Sequence, residues 1–280
     1  MADFLAPADL AKTLVGVGEK KAALPVAKMF VLGILAGVFI GFAAHLATTV
    51  ATGTGWKEYF GLQKFLVGAV FSVGLMLVII PGSELWTGNN LMTVALLDRK
   101  ISFGGLMKNW FFVYLGNIVG SILLAWIIAS MSGLTKGPVG ATAINIAGGK
   151  CSLSVTEMIF RGIGCNWLVC LAVMMAVAAQ DIGSKVLAIF FPIMAFVASG
   201  FEHSVANMYF IPAGLFTKGF EAASGAAAPA NVAALTLNGC ITNIGFVTLG
   251  NLIGGAILTG GVYWWLFVRQ AKAQSSPAKP

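Results

Sequence analysis

Long apolar runs separated by short polar stretches dominate this 280-residue chain. A helix that crosses a membrane needs roughly 20 mainly apolar residues, and six segments supply them. The first is 26–50. The second starts near residue 65, breaks at Pro81-Gly82 and resumes over 91–97. The third is 105–131 and the fourth 159–179. The fifth starts near residue 186, breaks at Ser199-Gly200 and resumes around 205–216. The sixth is 240–268. Barrel strands alternate apolar and polar residues, whereas these runs are continuous. The pattern therefore predicts helices, which satisfy their own backbone groups inside a bilayer. It predicts one transmembrane domain over 1–280: an N-terminal segment 1–25, a first half 26–131, an external loop 132–158, a second half 159–268 and a polar, disordered cytoplasmic tail 269–280.

The polar positions inside the apolar runs repeat. Gly82-Ser83-Glu84-Leu85-Trp86-Thr87-Gly88-Asn89 and Gly200-Phe201-Glu202-His203-Ser204-Val205-Ala206-Asn207 both read G-x-E-x-x-x-x-N, 118 residues apart. Leu115-Gly116-Asn117-Ile118-Val119-Gly120 in the third span recurs as Leu249-Gly250-Asn251-Leu252-Ile253-Gly254 in the sixth. Each half thus has three spans, of which the second is broken. Three spans per half place the halves in opposite orientations. The expected fold is all-α and integral to the membrane: six transmembrane helices in an inverted 3+3 repeat with broken second and fifth helices. In such folds the functional site lies near the midplane, where broken helices meet.

Composition sharpens this picture. The chain is 58% hydrophobic and 10% charged, against roughly 25% charged in soluble domains, which excludes a soluble globule. Glycine, at 35 residues, suits close helix packing in lipid, and Gly33, Gly37 and Gly41 form a small-xxx-small face. The net charge of +7 is scattered through short loops without a basic stripe, which argues against nucleic acid. Counted on alternating sides, Lys and Arg number eleven with the termini and six opposite, so both termini are expected in the cytoplasm, with the chain in the cytoplasmic membrane. The first 24 residues carry Asp3, Asp9 and Glu19, lack a signal-peptide core and read as an amphipathic cytosolic helix. The four cysteines (Cys151, Cys165, Cys170, Cys240) show no metal-ligand or redox spacing. No metal or cofactor is expected.

Candidate chemistry lies at the two breaks. A broken helix leaves unpaired N–H groups at the start of its second part and unpaired C=O groups at the end of its first, and the N-terminal ends attract anions. Thr87, Asn89, Ser204 and Asn207 are capping types, suited equally to satisfying the backbone and to touching a ligand. His203 is one of two histidines. It sits at mid-membrane depth beside an acid, where its ring can donate, accept or titrate. Glu84 and Glu202 are either proton carriers or supports for the breaks. Their equivalence in the two halves favours support. Lys150, in Gly148-Gly149-Lys150-Cys151-Ser152, lacks the upstream glycine and the Ser/Thr of a phosphate-binding loop. It is either a solvated loop charge or an attractor of anions at a pore mouth.

These residues closely resemble the formate/nitrite transporter family. Ile79-Ile80-Pro81-Gly82-Ser83-Glu84-Leu85-Trp86-Thr87-Gly88 is similar to the signature of its broken second helix. Gly162-Ile163-Gly164-Cys165-Asn166-Trp167-Leu168-Val169-Cys170-Leu171-Ala172 is similar to a second signature in helix four. Ala198-Ser199-Gly200-Phe201-Glu202-His203-Ser204-Val205-Ala206-Asn207-Met208 is similar to a third. The resemblance runs from residue 5 to 269. It implies an aquaporin-like homopentamer in the membrane lipid, each protomer with its own pore, passing small weak-acid anions: formate first, with hydrosulfide or nitrite as alternatives. It implies His203 as the central pore histidine, Thr87 as its partner and Lys150 as the vestibule lysine, with Asn166, Asn207 and Asn251 as polar residues around the pore. It implies Leu75, Leu85, Trp86 and Val169 at the cytoplasmic constriction, and Phe71 and Phe196 at the outer one. Trp86 stands where Phe is common. A water or glycerol channel would carry paired Asn-Pro-Ala loops, which this sequence lacks. An enzyme would need a nucleophile with a base, or a metal cluster, and neither pattern is visible.

Overall fold

A computed structural model describes residues 4–53, 56, 58–224 and 232–269, and the expected tail 270–280 lies outside them. Helix α1 (Pro7–Ala22) starts on a proline, which needs no N–H partner in a first turn, and buries Leu10, Leu14, Val15 and Gly18 along one face. Pro25 then precedes α2 (Val26–Ala51). The second apolar run is α3 (Phe60–Phe71) and α4 (Val73–Ile79), followed after a break by the short α5 (Trp86–Asn89), a 3₁₀ turn and α6 (Thr93–Leu97). Helix α7 (Phe103–Trp126) runs into a wider π turn (Ile127–Met131). The second half holds α8 (Pro138–Cys151), α9 (Val155–Ala178), α10 (Ile182–Ala198), α11 (Ser204–Ser224) and α12 (Leu237–Leu252), which continues in π turns to Arg269.

Among the described residues, five helical stretches are long and apolar enough to cross a membrane: Val26–Ala51, Phe60–Ile79, Phe103–Met131, Val155–Ala178 and Leu237–Arg269. Ile182–Ala198 is apolar but shorter. Both expected breaks are present. Gly82 and Gly200 take φ of +94° and +78°, a left-handed turn that only glycine enters without strain. The segment 132–158 is not simply a loop. Its helix α8 buries Ile144 and Ala147 in a cluster with Ile211, Leu235 and Cys240. Four glycines in its vicinity and a length of 14 residues hide it from a search for long apolar runs.

Glycine seams set the helix spacing. A Cβ on Gly37 would meet the Asn117 carbonyl, and one on Gly120 would meet that of Ile34, so α2 and α7 touch backbone to backbone. Gly250 and Gly254 do the same against the carbonyls of Ile159 and Ile163, joining α12 to α9. Phe4 pairs with Ala179, and the Leu5 N–H donates to the Ala178 carbonyl, tying the start of the described chain to the end of α9.

Candidate functional site

The two breaks are held by the same set of bonds. At the first, the Glu84 N–H donates to the Leu32 carbonyl at 3.2 Å. Its carboxylate takes the Lys21 ammonium on one oxygen and the Asn89 amide on the other, the latter at 2.6 Å. Asn89 also donates to Asn109, and Asn109 to the Lys21 carbonyl. Asn117 donates to the carbonyls of Gly33 and Glu84 and accepts the Trp86 N–H at 2.9 Å.

At the second break, the Glu202 N–H donates to the Arg161 carbonyl at 3.2 Å. Its carboxylate takes Lys150 Nζ at 2.8 Å and Asn207 Nδ2 at 2.6 Å. Asn207 donates to Asn243, and Asn243 to the Lys150 carbonyl. Asn251 donates to the carbonyls of Gly162 and Glu202 and accepts the Ser204 N–H at 2.9 Å. Backbone groups freed by a break inside lipid cost several kcal/mol each unless they find partners, and the asparagines, with two donors and an acceptor, supply them.

The frames part in chemistry at the position after the glutamate. After Glu84 comes Leu85, with no side-chain cap. After Glu202 comes His203, whose Nδ1 accepts the Ala206 N–H at 3.0 Å, a cap on the first turn of α11. That bond fixes the tautomer. With Nδ1 an acceptor, the neutral ring carries its hydrogen on Nε2 and donates to Thr87 Oγ1 at 2.8 Å. His203 is 3% exposed and Thr87 is fully buried. The Thr87 carbonyl is held in turn by Asn166 Nδ2 at 3.2 Å, which also meets Asn90 and the Asn251 carbonyl.

A cavity of about 580 Å³ reaches His203. Lys64, Lys150 and Arg161 line it together with Glu202, Phe201 and Phe210, and Phe71, Phe196 and His203 also form part of its wall. The Lys150 ammonium lies 5.2 Å from the centre of the Phe210 ring. Phe71 and Phe196 meet edge to face at 5.9 Å. A second void of about 10 Å³ touches the same His203, Phe71 and Phe196 and is otherwise walled by Ile40, Leu75, Leu85, Val169 and Ile193. A wide charged chamber therefore gives way at the histidine to a narrow apolar gap.

Of the residues singled out in the sequence, His203 and Thr87 come into contact and Lys150 meets Glu202. Phe71, Phe196, Leu75, Leu85 and Val169 surround the small void. Trp86 does not line it, and packs instead against Trp110 and Tyr114. Asn166, Asn207 and Asn251 line neither space; they bind the backbone and carboxylates behind it. Sequence reasoning passed over Lys21, Asn109, Asn117 and Asn243 as working parts. A signal was there: Asn109 and Asn117, like Asn243 and Asn251, stand eight residues apart. No cluster of three or more His, Cys, Asp or Glu able to hold a metal occurs among the described residues.

The model of a family described as "Formate/nitrite transporter" matches residues 8–265. The chain belongs to the formate/nitrite transporter family. A protein named "Probable formate transporter" from Methanothermobacter thermautotrophicus is 42% identical over 95% of this chain and 98% of its own length. A solved "FNT family ion channel" superposes with a TM-score of 0.80 at 31% identity, covering 92% of this chain and 98% of that one. A "Pentameric formate channel with formate bound" superposes at 0.75 and 37% identity, over 87% and 98%. This member of the formate/nitrite transporter family is thus a multi-pass membrane transport protein, and its apolar helices and buried charged frames belong to that setting.

Proposed function

We propose that this protein passes formate across the cytoplasmic membrane as a homopentamer, each protomer forming its own pore, with His203 coupling passage to protonation. The observation that carries this reading is the His203–Thr87 contact, placed where a cation-lined cavity narrows to an apolar gap. The paired frames at the breaks support six spans in an inverted 3+3 repeat, the family likeness supports an aquaporin-like form of it, and the charge bias supports cytoplasmic termini. The names of the similar proteins support formate and the pentamer.

The chemistry follows from the gap. An ionised carboxylate stripped of water meets a penalty of many kcal/mol in such surroundings, and the neutral acid does not. The net positive lining of the cavity raises the anion concentration in it. The Thr87 hydroxyl accepts from His203 Nε2–H and keeps its own hydrogen to donate to the arriving carboxylate. A proton on Nδ1 would end the cap to Ala206, so the ring stays neutral and orients Thr87. The transferred proton comes from a hydronium ion in the cavity, which is left as water, and formic acid crosses the gap.

The test is uptake of labelled formate into proteoliposomes, with and without a pH gradient. Wild-type flux should exceed that of empty vesicles and rise as external pH falls. His203→Leu should lower it about tenfold, the equivalent of the roughly 1.4 kcal/mol of the one hydrogen bond that orients Thr87. If His203→Leu keeps both the flux and its pH dependence, the coupling is wrong. If the wild type passes no formate, the substrate is wrong.

A further inference from the structure

Four charged side chains line the large cavity, and three are cations. Lys150 is neutralised by Glu202 inside the cavity, at 2.8 Å. Arg161 and Lys64 are not neutralised there. The Arg161 guanidinium donates through Nη2 to Glu157 Oε1 at 2.7 Å, but Glu157 does not line the cavity. The other Glu157 oxygen is held by Ser154 in the capping box that starts α9. Glu157 therefore fixes the Arg161 side chain at the rim and leaves the rest of its five N–H donors without a protein acceptor among the described residues. Among the described residues, Lys64 meets only the face of the Phe60 ring, at 5.4 Å. The Arg161 side chain is 40% exposed, against 15% for Lys150, so it lies nearer the mouth.

We propose that Arg161, seconded by Lys64, is a loading site for small carboxylates at the cavity mouth, occupied before the anion reaches Lys150. A guanidinium offers a carboxylate two parallel N–H bonds, which an ammonium does not. A cavity with low-dielectric walls and a net positive lining focuses the field and raises the local anion concentration. The proposal rests on the anion-transport reading above and adds a recruiting step to it. The site acts on capture, and the crossing itself stays with His203 and Thr87.

The test compares formate uptake by proteoliposomes bearing wild-type protein, Arg161→Gln, Lys64→Gln and Glu157→Gln, at about 10 mM and about 1 M ionic strength, where the screening length is roughly 30 Å and 3 Å. At low salt, Arg161→Gln should raise the half-saturating formate concentration about tenfold, the lower end of the range for electrostatic focusing, with Lys64→Gln raising it less. At high salt the differences should vanish. Glu157→Gln keeps the cap, since Gln serves in a capping box, and should hold or lower the half-saturating concentration. If the ion pair matters only for structure, Glu157→Gln and Arg161→Gln will lose flux alike at both salt concentrations, and the proposal is overturned. It is also overturned if Arg161→Gln leaves half-saturation unchanged. Should Arg161→Gln fail to assemble, Lys64→Gln decides by the same criteria, since it breaks no ion pair. Absence of formate flux in the wild type would instead sink the transport reading itself.

Discussion

Glu202→Gln tests whether the buried frame at the second break holds the fold. Both carboxylate oxygens accept from donors, one from the Lys150 ammonium at 2.8 Å and the other from the Asn207 amide at 2.6 Å. A glutamine keeps one oxygen and turns the other into an NH₂, which must then face a donor. The pair also loses its negative member while Lys150 stays mostly covered, at 15% exposed against 7% for Glu202. Removing one partner of a buried pair costs about 3–5 kcal/mol, and the cavity beside Lys150 places this case near the lower end. At about 2–4 °C per kcal/mol for a large domain, a loss of about 3 kcal/mol should lower the midpoint by roughly 6–12 °C. Heating in detergent followed by size exclusion, or tryptophan fluorescence, measures it. Replacing both partners with apolar residues, Lys150→Met with Glu202→Leu, should recover part of the loss. Glu84→Gln should cost less, because Lys21 is 25% exposed. A fall smaller than about 2 °C for Glu202→Gln, under 1 kcal/mol by the same conversion, would refute the reasoning.

Three further outcomes follow. Gly120→Ala puts a methyl into the Ile34 carbonyl and should destabilise by about 1–3 kcal/mol or prevent assembly. Gly16→Ala, with open space at its Cβ, should stabilise by up to about 1 kcal/mol, and melting of both variants reads the difference. Thr87→Val leaves His203 Nε2–H without its acceptor, which should cost about 1–3 kcal/mol and reduce formate flux; a variant with wild-type melting and flux would count against the pair. Burial, with a smaller contribution from neighbouring Cys240, pushes the Cys151 thiol up to about 11. Since the thiolate is the nucleophile, only about one thiol in 10⁴ is reactive at pH 7. Maleimide labelling read by mass spectrometry should therefore be slow at pH 7 and speed up about tenfold per pH unit to pH 10.

The parts of the fold that rest on length and repetition were legible in the sequence. Continuous apolar runs mark the long helices, and Gly82 and Gly200 mark the breaks because no other residue enters that turn cheaply. Helix α8 was not legible as a helix, since it is short and gains its stability from packing on α11 and the start of α12. The site was legible in types but less so in roles. His203 stood out because a histidine in lipid needs a partner. That Asn166, Asn207 and Asn251 turn to the backbone rather than to the cavity depends on where each helix face points, and a motif does not carry that. Trp86 was misplaced for the same reason: its side chain follows the α7 face that bears Trp110 and Tyr114, away from the gap that its neighbour Leu85 lines. Lys21 was hidden among ordinary basic residues, because its meaning comes from Glu84, 63 residues away.

The paired frames explain how one fold can hold a polar site in an apolar crossing. Each break is secured by a Glu, a Lys and three Asn that act on backbone and on each other, and none of these bonds involves the residue following the Glu. That position is therefore free to vary without loosening the frame. One half uses the freedom for Leu85, which walls the gap, and the other for His203, which faces it. Had the histidine been part of the frame, any movement that served an anion would have strained the break. Because its own bonds run to Ala206 and Thr87 alone, the ring and the hydroxyl can exchange a partner for a passing carboxylate while Glu202, Asn207 and Asn251 keep the helix ends in place.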